Sequence, residues 1–175
     1  MKFRVILTVV FVLVLISTTA SAAKTIVNPH EGHTYMIGGD GKLISLVNYD
    51  SAKNPTYSQL VKFIKNDLTD QKKYTSTYVC SDFAEDVHNN AEKAGIKAGW
   101  VTINFKRGPG HVCNAFKTTD KGLVYIDCTG SPSQKGSFDK VITLKNGEAI
   151  KPTSLYPPMF KWSGMGEVKS FKVYW

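Results

Sequence analysis

The chain has 175 residues, 42% hydrophobic and 21% charged, a balance that suits one globular domain with a real core and excludes a fibrous or wholly disordered chain. Lysine and arginine outnumber aspartate and glutamate by 22 to 14, a formal charge of +8. The lysines are scattered, with no dense run and no interleaved stacking motif, which argues against specific nucleic-acid binding and leaves a general attraction to anionic surfaces.

Residues 1–22 read as a signal peptide. Met1 to Arg4 is a basic start, Val5 to Ile16 an apolar run, and Ala20-Ser21-Ala22 the small residues of a cleavage site. The run falls short of the ~20 apolar residues that span a bilayer. The expected mature chain has no membrane span, is secreted or held at the cell surface, and carries a charge of +6 once Lys2 and Arg4 are removed from the +8 total. Export also places Cys80, Cys113 and Cys128 where disulfides can form, and their odd number leaves at least one thiol over.

Residues 23–40 are polar and glycine-rich and read as an extended lead-in to a single domain over 41–175. The HEGH stretch holds His30 and His33, but its spacing fails the H-E-x-x-H pattern that sets two imidazoles on one helical face. Both are expected to be surface histidines, and no metal or cofactor is implied.

Lys42 to Val47 is a strand candidate. Thr56 and Gln59 stand at capping-box spacing before a helix whose Leu60, Val61, Ile64 and Leu68 should face the core. A polar break over Thr69 to Thr77 follows. A second helix runs from about Cys80 to Ala94, with Phe83, Ala84, Val87, Ala91 and Ala94 as its apolar stripe, other faces polar, and Gly95 stopping it. Trp100 to Phe105 alternates as a half-buried strand does. Residues 110–130 form two strands around a polar turn. Val141 to Leu144, ending at Asn146-Gly147, and Phe171 to Trp175 are further strands. Helices followed by mostly antiparallel strands predict an α+β fold.

Three residues in this plan could do chemistry. Cys80 opens the second helix, and helix N-termini are among the environments that favour the thiolate, the reactive form of cysteine. A cysteine nucleophile needs a base. His88 lies eight residues along the same helix, about 12 Å of axial rise away, which leaves His111. With the hairpin turn centred near Thr119, His111 falls opposite Asp127 on the same face, where the carboxylate could orient the imidazole. In that register Cys113 opposes Tyr125, and Cys128 points to the other face, so a Cys113–Cys128 disulfide needs a bulge or a shifted register.

Residues 78–130 resemble the papain-like Cys-His-Asp core of the transglutaminase-like superfamily of cysteine acyltransferases and hydrolases. The similar elements are CSDFAEDVHNNAEKAGIKAGWV from Cys80 to Val101, HVCNAF from His111, and YIDCTG around Asp127. The resemblance implies an antiparallel sheet packed by helices, with Cys80 as nucleophile, His111 as base and Asp127 as orienting acid. Cys113 stands where the family often has tryptophan, and Cys128 where it often has proline. Tyr78 and Trp100 could line the cleft or fill the core. The implied activity is hydrolysis of a peptide or cell-envelope amide through a Cys80 thioester. The alternatives are an inactive cell-surface binding module on the same fold, a protein cross-linking transglutaminase, and a redox thiol protein, the last disfavoured because no C-x-x-C is present.

Overall fold

The computed structural model describes residues 22–32, 34–131, 138–159 and 161–175. Residues 1–21, nearly all of the segment expected to be a signal peptide, and His33 lie outside the described residues. Two helices pack with a six-stranded antiparallel sheet, a mixed architecture compatible with the α+β expectation.

The lead-in is extended and paired. Strand β1 (Lys24–Val27) runs antiparallel to β4 (Leu46–Tyr49), and β2 (His30–Glu31) and β3 (Thr34–Tyr35) form a short hairpin between them. Only the end of the predicted 42–47 strand lies in β4; Leu43 instead makes an isolated bridge to Ile37.

Helix α1 (Tyr57–Asn66) begins as its capping box predicts. The Gln59 N–H donates to Thr56 Oγ1 at 3.2 Å, and the Thr56 N–H donates to Gln59 Oε1 at 2.8 Å. Leu60 and Ile64 are fully buried, but Leu68 is 60% exposed. The helix stops at Asn66 with Asp67 in an extended conformation, so the helical spacing that would have turned Leu68 inward has already ended. A single 3-10 turn, Thr69–Gln71, begins the polar break.

Helix α2 (Cys80–Lys93) ends in a Schellman motif. Gly95 takes φ +79°, its N–H reaches the Glu92 carbonyl at 3.0 Å, and the Ile96 N–H reaches the Ala91 carbonyl at 2.9 Å. The apolar stripe is buried as expected at Phe83, Ala84, Val87 and Ala91.

The polar stripe of α2 has a use that its sequence does not advertise. Glu85, Asn89 and Glu92 accept the N–H groups of Ser45, Val47 and Tyr49 at 2.7–2.9 Å. Residues 45, 47 and 49 are the alternate positions whose amides point away from β1, and side chains at helical spacing replace a neighbouring strand for them.

The main sheet contains β5 (Gly99–Phe105), β6 (His111–Thr118), β7 (Gly122–Asp127), β8 (Lys140–Ile142), β9 (Thr153–Ser154) and β10 (Val168–Tyr174), in the order β10-β5-β6-β7-β8-β9. One face packs on the helices through Phe116, Ile126 and Cys128 against Leu60, Ile64, Val87 and Ala91. The other face gathers Val101, Ile103, Cys113, Ala115, Ile142, Ile150 and Val168. Tyr125 on β7 meets Phe171 on β10 with ring centroids 5.9 Å apart. Those strands are three places apart, roughly 14 Å in a flat sheet at about 4.8 Å per strand, so the sheet curls around this second cluster. β5 is therefore buried on both faces over Gly99–Ile103, not half-buried as its alternation suggested.

Candidate functional site

Cys80, His111 and Asp127 come together where the first turn of α2 meets one end of the sheet. Cys80 is the first residue of α2 and half-exposed. Its helix is held in place from the sheet: Trp100 Nε1–H donates to the Ser81 carbonyl at 3.2 Å, and the buried Asn114 amide donates to the Ala84 carbonyl at 2.8 Å. Trp100 is thus a core residue that fixes the turn carrying Cys80 rather than a wall of a cleft. On the outer side, Asp82 Oδ2 accepts the Val79 N–H and the Gly39 N–H, each at 2.9 Å, tying the turn to the loop after β3.

The hairpin register differs from the expected one. Thr118 pairs with Gly122 and Asn114 with Ile126, so the turn is centred on Asp120, and Tyr125 faces Ala115 instead of Cys113. A three-residue loop closes it, with Gly122 at φ +70°. The two-residue shift preserves side-chain parity, because the strand period is two. His111 and Asp127 therefore still share a face and meet on a diagonal, His111 Nε2 to Asp127 Oδ2 at 3.1 Å. The side chains are 14% and 1% exposed. Asp127 Oδ1 accepts the Thr129 N–H at 2.9 Å, and Lys140, directly opposite on β8, places Nζ 3.7 Å from Oδ2.

The electrostatics follow from this enclosure. Burial opposes charge on the His111 ring, but the Asp127 carboxylate and the Cys80 sulfur, both hydrogen-bonding neighbours, outweigh it and raise the imidazole to about 10. For Asp127, burial again pulls against ionisation, and Lys140, His111 and the Thr129 side chain hold it well below the usual carboxylate range. With Nε2–H donated to a carboxylate, Nδ1 is the nitrogen left to exchange a proton with the thiol.

The other sequence candidates lie elsewhere. His88 is fully buried, and its Nε2–H donates to Asn48 Oδ1 at 2.8 Å; burial lowers it to about 4. His30 is exposed on β2. Tyr78 packs edge-on against Phe83, its hydroxyl hydrogen-bonds Asp86, and burial followed by that carboxylate raises the phenol. Cys113 and Cys128 belong to the two opposite core clusters, and all three cysteines are free thiols.

Two neighbours escaped the sequence reading. Tyr74 stacks on Phe83 with centroids 6.1 Å apart and stands beside Cys80; burial and then the Cys80 charge raise its phenol, while the Cys80 backbone N–H opposes that rise. Lys140 was the other. Neither belongs to a periodic pattern, and only the shared strand pairing of Lys140 with Asp127 makes it a neighbour. A surface hollow of about 600 Å³ is lined by Lys106, Arg107, Gly166 and Glu167, and none of the three site residues lines it.

Among the described residues no group of three or more His, Cys, Asp or Glu side chains could hold a metal ion, and no helix is long and apolar enough to cross a membrane. No family model, no curated protein and no solved structure matches this chain.

Proposed function

We propose that this protein is an exported cysteine acyl-transfer enzyme of transglutaminase-like type, hydrolysing a peptide or cell-envelope amide through a thioester on Cys80. The observation that carries this reading is the contact chain from the Cys80 thiol through the His111 ring to the Asp127 carboxylate. A His-Asp pair across a sheet is common by itself; a cysteine at a helix N-terminus on the other side of the imidazole makes it a nucleophile-base-orienter set.

In the proposed reaction the Cys80 thiolate attacks the amide carbonyl carbon, and the carbonyl electrons move to oxygen. Cys80's backbone N–H, which has no acceptor inside α2 and donates to the Tyr74 hydroxyl in the resting protein, turns to that oxyanion as the hydroxyl gives way and donates alongside it. His111 delivers its proton to the departing nitrogen, the C–N bond breaks, and a thioester and a free amine result. His111 then takes a proton from water, hydroxide adds to the thioester, and the acid leaves as the thiolate returns. Asp127 keeps Nε2–H fixed throughout and carries no proton itself. The basic charge of the exported chain suits an anionic envelope surface.

The test is alkylation of the purified mature protein with iodoacetamide across pH, with peptide mapping and His111→Ala as comparison. Fast labelling of Cys80 at pH 6 that disappears with His111 supports the pair, and peptide amides with and without added amine then separate hydrolysis from cross-linking. Ordinary thiol behaviour of Cys80, indifferent to His111, would leave the inactive binding module as the better reading.

A further inference from the structure

Lys140 is buried, its side chain 7% exposed, at the start of β8. Placing an ammonium there is costly unless its charge is matched and its protons are accepted. Two of its three N–H groups are placed: Nζ donates to the Phe138 carbonyl at 2.7 Å and the Thr129 carbonyl at 3.1 Å. It also faces the Asp127 carboxylate at 3.7 Å and the Trp162 ring, 4.9 Å from the centroid. The sheet fixes this arrangement, since Lys140 and Asp127 are register partners.

Consider the charges at this end of the sheet. With Asp127 ionised and Lys140 protonated, those two cancel. His111 and Cys80 can then exchange a proton without the buried site acquiring net charge, as thiol with neutral imidazole or thiolate with imidazolium. Without Lys140, both states carry an uncompensated negative charge beneath the nucleophile, which resists a thiolate and binds protons more tightly.

We propose that Lys140 is a positioning residue of the Cys80–His111–Asp127 site, supplying the fixed positive charge that keeps Asp127 ionised and sets the pH range over which the thiolate-imidazolium pair exists. This rests on the acyl-transfer reading above and deepens it. The charged and titratable groups on which Lys140 acts directly are Asp127 and Cys128 on β7 and the chain just after it and Asp139 beside it in sequence; Asp70 lies beyond Asp139 and Phe138, and His111 and Cys80 are reached through Asp127. Asp139 is raised to about 7 by burial, with Tyr156 opposing and Asp70 assisting, and Lys140 pulls it down only as a lesser influence. It hydrogen-bonds Tyr156 and not the three site residues.

Lys140 also ties Phe138 to Thr129, so the experiment has to separate charge from that structural link. The rate of Cys80 alkylation by iodoacetamide is measured against pH in the mature protein and in Lys140→Met, Lys140→Gln and Lys140→Arg, with folding checked by circular dichroism. Removing a fixed positive charge raises the proton affinity of every neighbour. Both inflections of the profile, the acid one where the pair gains a proton and the alkaline one where it loses one, should therefore move up by roughly one pH unit in Met and Gln. Arg should return both to within a few tenths of a unit of the parent. A purely structural role would lower the rate or the folded fraction and leave the inflections in place, and that result overturns the proposal.

A parent profile with no His111-dependent inflection would instead count against the acyl-transfer reading. In that event the His111 ring is titrated by NMR in Cys80→Ser, with and without Lys140→Met. A higher midpoint without the lysine supports its action on the His-Asp pair, and an unchanged midpoint overturns it.

Discussion

His111 and Asp127 make their 3.1 Å contact across a diagonal of the β6–β7 hairpin, because the turn is centred on Asp120. Diagonal neighbours on one face lie within reach of long or aromatic side chains, and an imidazole is long enough to close the gap. Replacing His111 by Ala removes the imidazole proposed as the base while leaving both strands paired. Alkylation of Cys80 at pH 6 is expected to fall on the order of a hundredfold, the usual scale of a positioned base, read by timed mass spectrometry.

The same contact makes stability depend on pH with a definite sign. The His111 imidazole is raised from 6.5 to about 10 in the folded protein, burial opposing and Asp127 and Cys80 prevailing. Its contribution is therefore complete below about 6.5 and is lost as pH rises toward 10. Urea midpoints measured from pH 6 to 10.5 should fall for the parent and stay flatter for His111→Gln.

Asp127 behaves oppositely. Its carboxyl is held below its ordinary 3.8, burial opposing and Lys140 and His111 prevailing, so its contribution is present above that value and is lost as pH drops through the folded one. Asp127→Asn leaves Lys140 and His111 without their buried counter-charge and should cost on the order of 3–5 kcal/mol at pH 7. Equilibrium urea unfolding at pH 7 and pH 3 checks this, with the gap between parent and variant narrowing only in part at the lower pH, because the folded carboxyl is still ionised there.

Glu92 accepts two backbone amides, Tyr49 and Ala98, each at 2.9 Å, and is 2% exposed. Glu92→Ala strands both N–H groups and should cost about 2–4 kcal/mol, while Glu92→Gln keeps one acceptor and should cost less. Hydrogen exchange at Tyr49 and Ala98 locates the damage.

Gly130 sits where a Cβ would come within 2.4 Å of the Lys72 carbonyl oxygen and 2.6 Å of that of Asp70. Both are backbone atoms, so the chain has to move. Gly130→Ala should destabilise by about 2 kcal/mol or more and disturb the neighbouring Thr129 amide that holds Asp127. Thermal melting and the Cys80 alkylation rate should both report it.

Much of the local structure was legible in the residues. Thr56 and Gln59 form the cap their spacing foretold, Gly95 ends α2 with the positive φ a glycine allows, and Cys80 opens that helix. Such features depend on neighbours three to five positions away. The exposure of Leu68 is not legible in the same way, because apolar spacing does not reveal where a helix stops.

What the sequence by itself determined is therefore the two helices, the central strands of the main sheet and the alternation of faces along those strands, while the short strands β1, β2, β3 and β9 carried no such pattern. A two-residue error in register could not separate His111 from Asp127, since parity alone decides the face. Only the tertiary structure decided which faces meet. The pairing of β10 with β5, the docking of β4 on Asn89 and Glu92 of α2, and the placement of Lys140 beside Asp127 join residues that are not neighbours along the chain. Those contacts are fixed by the shared burial of the curled sheet, a property of the whole chain that no short window of residues contains.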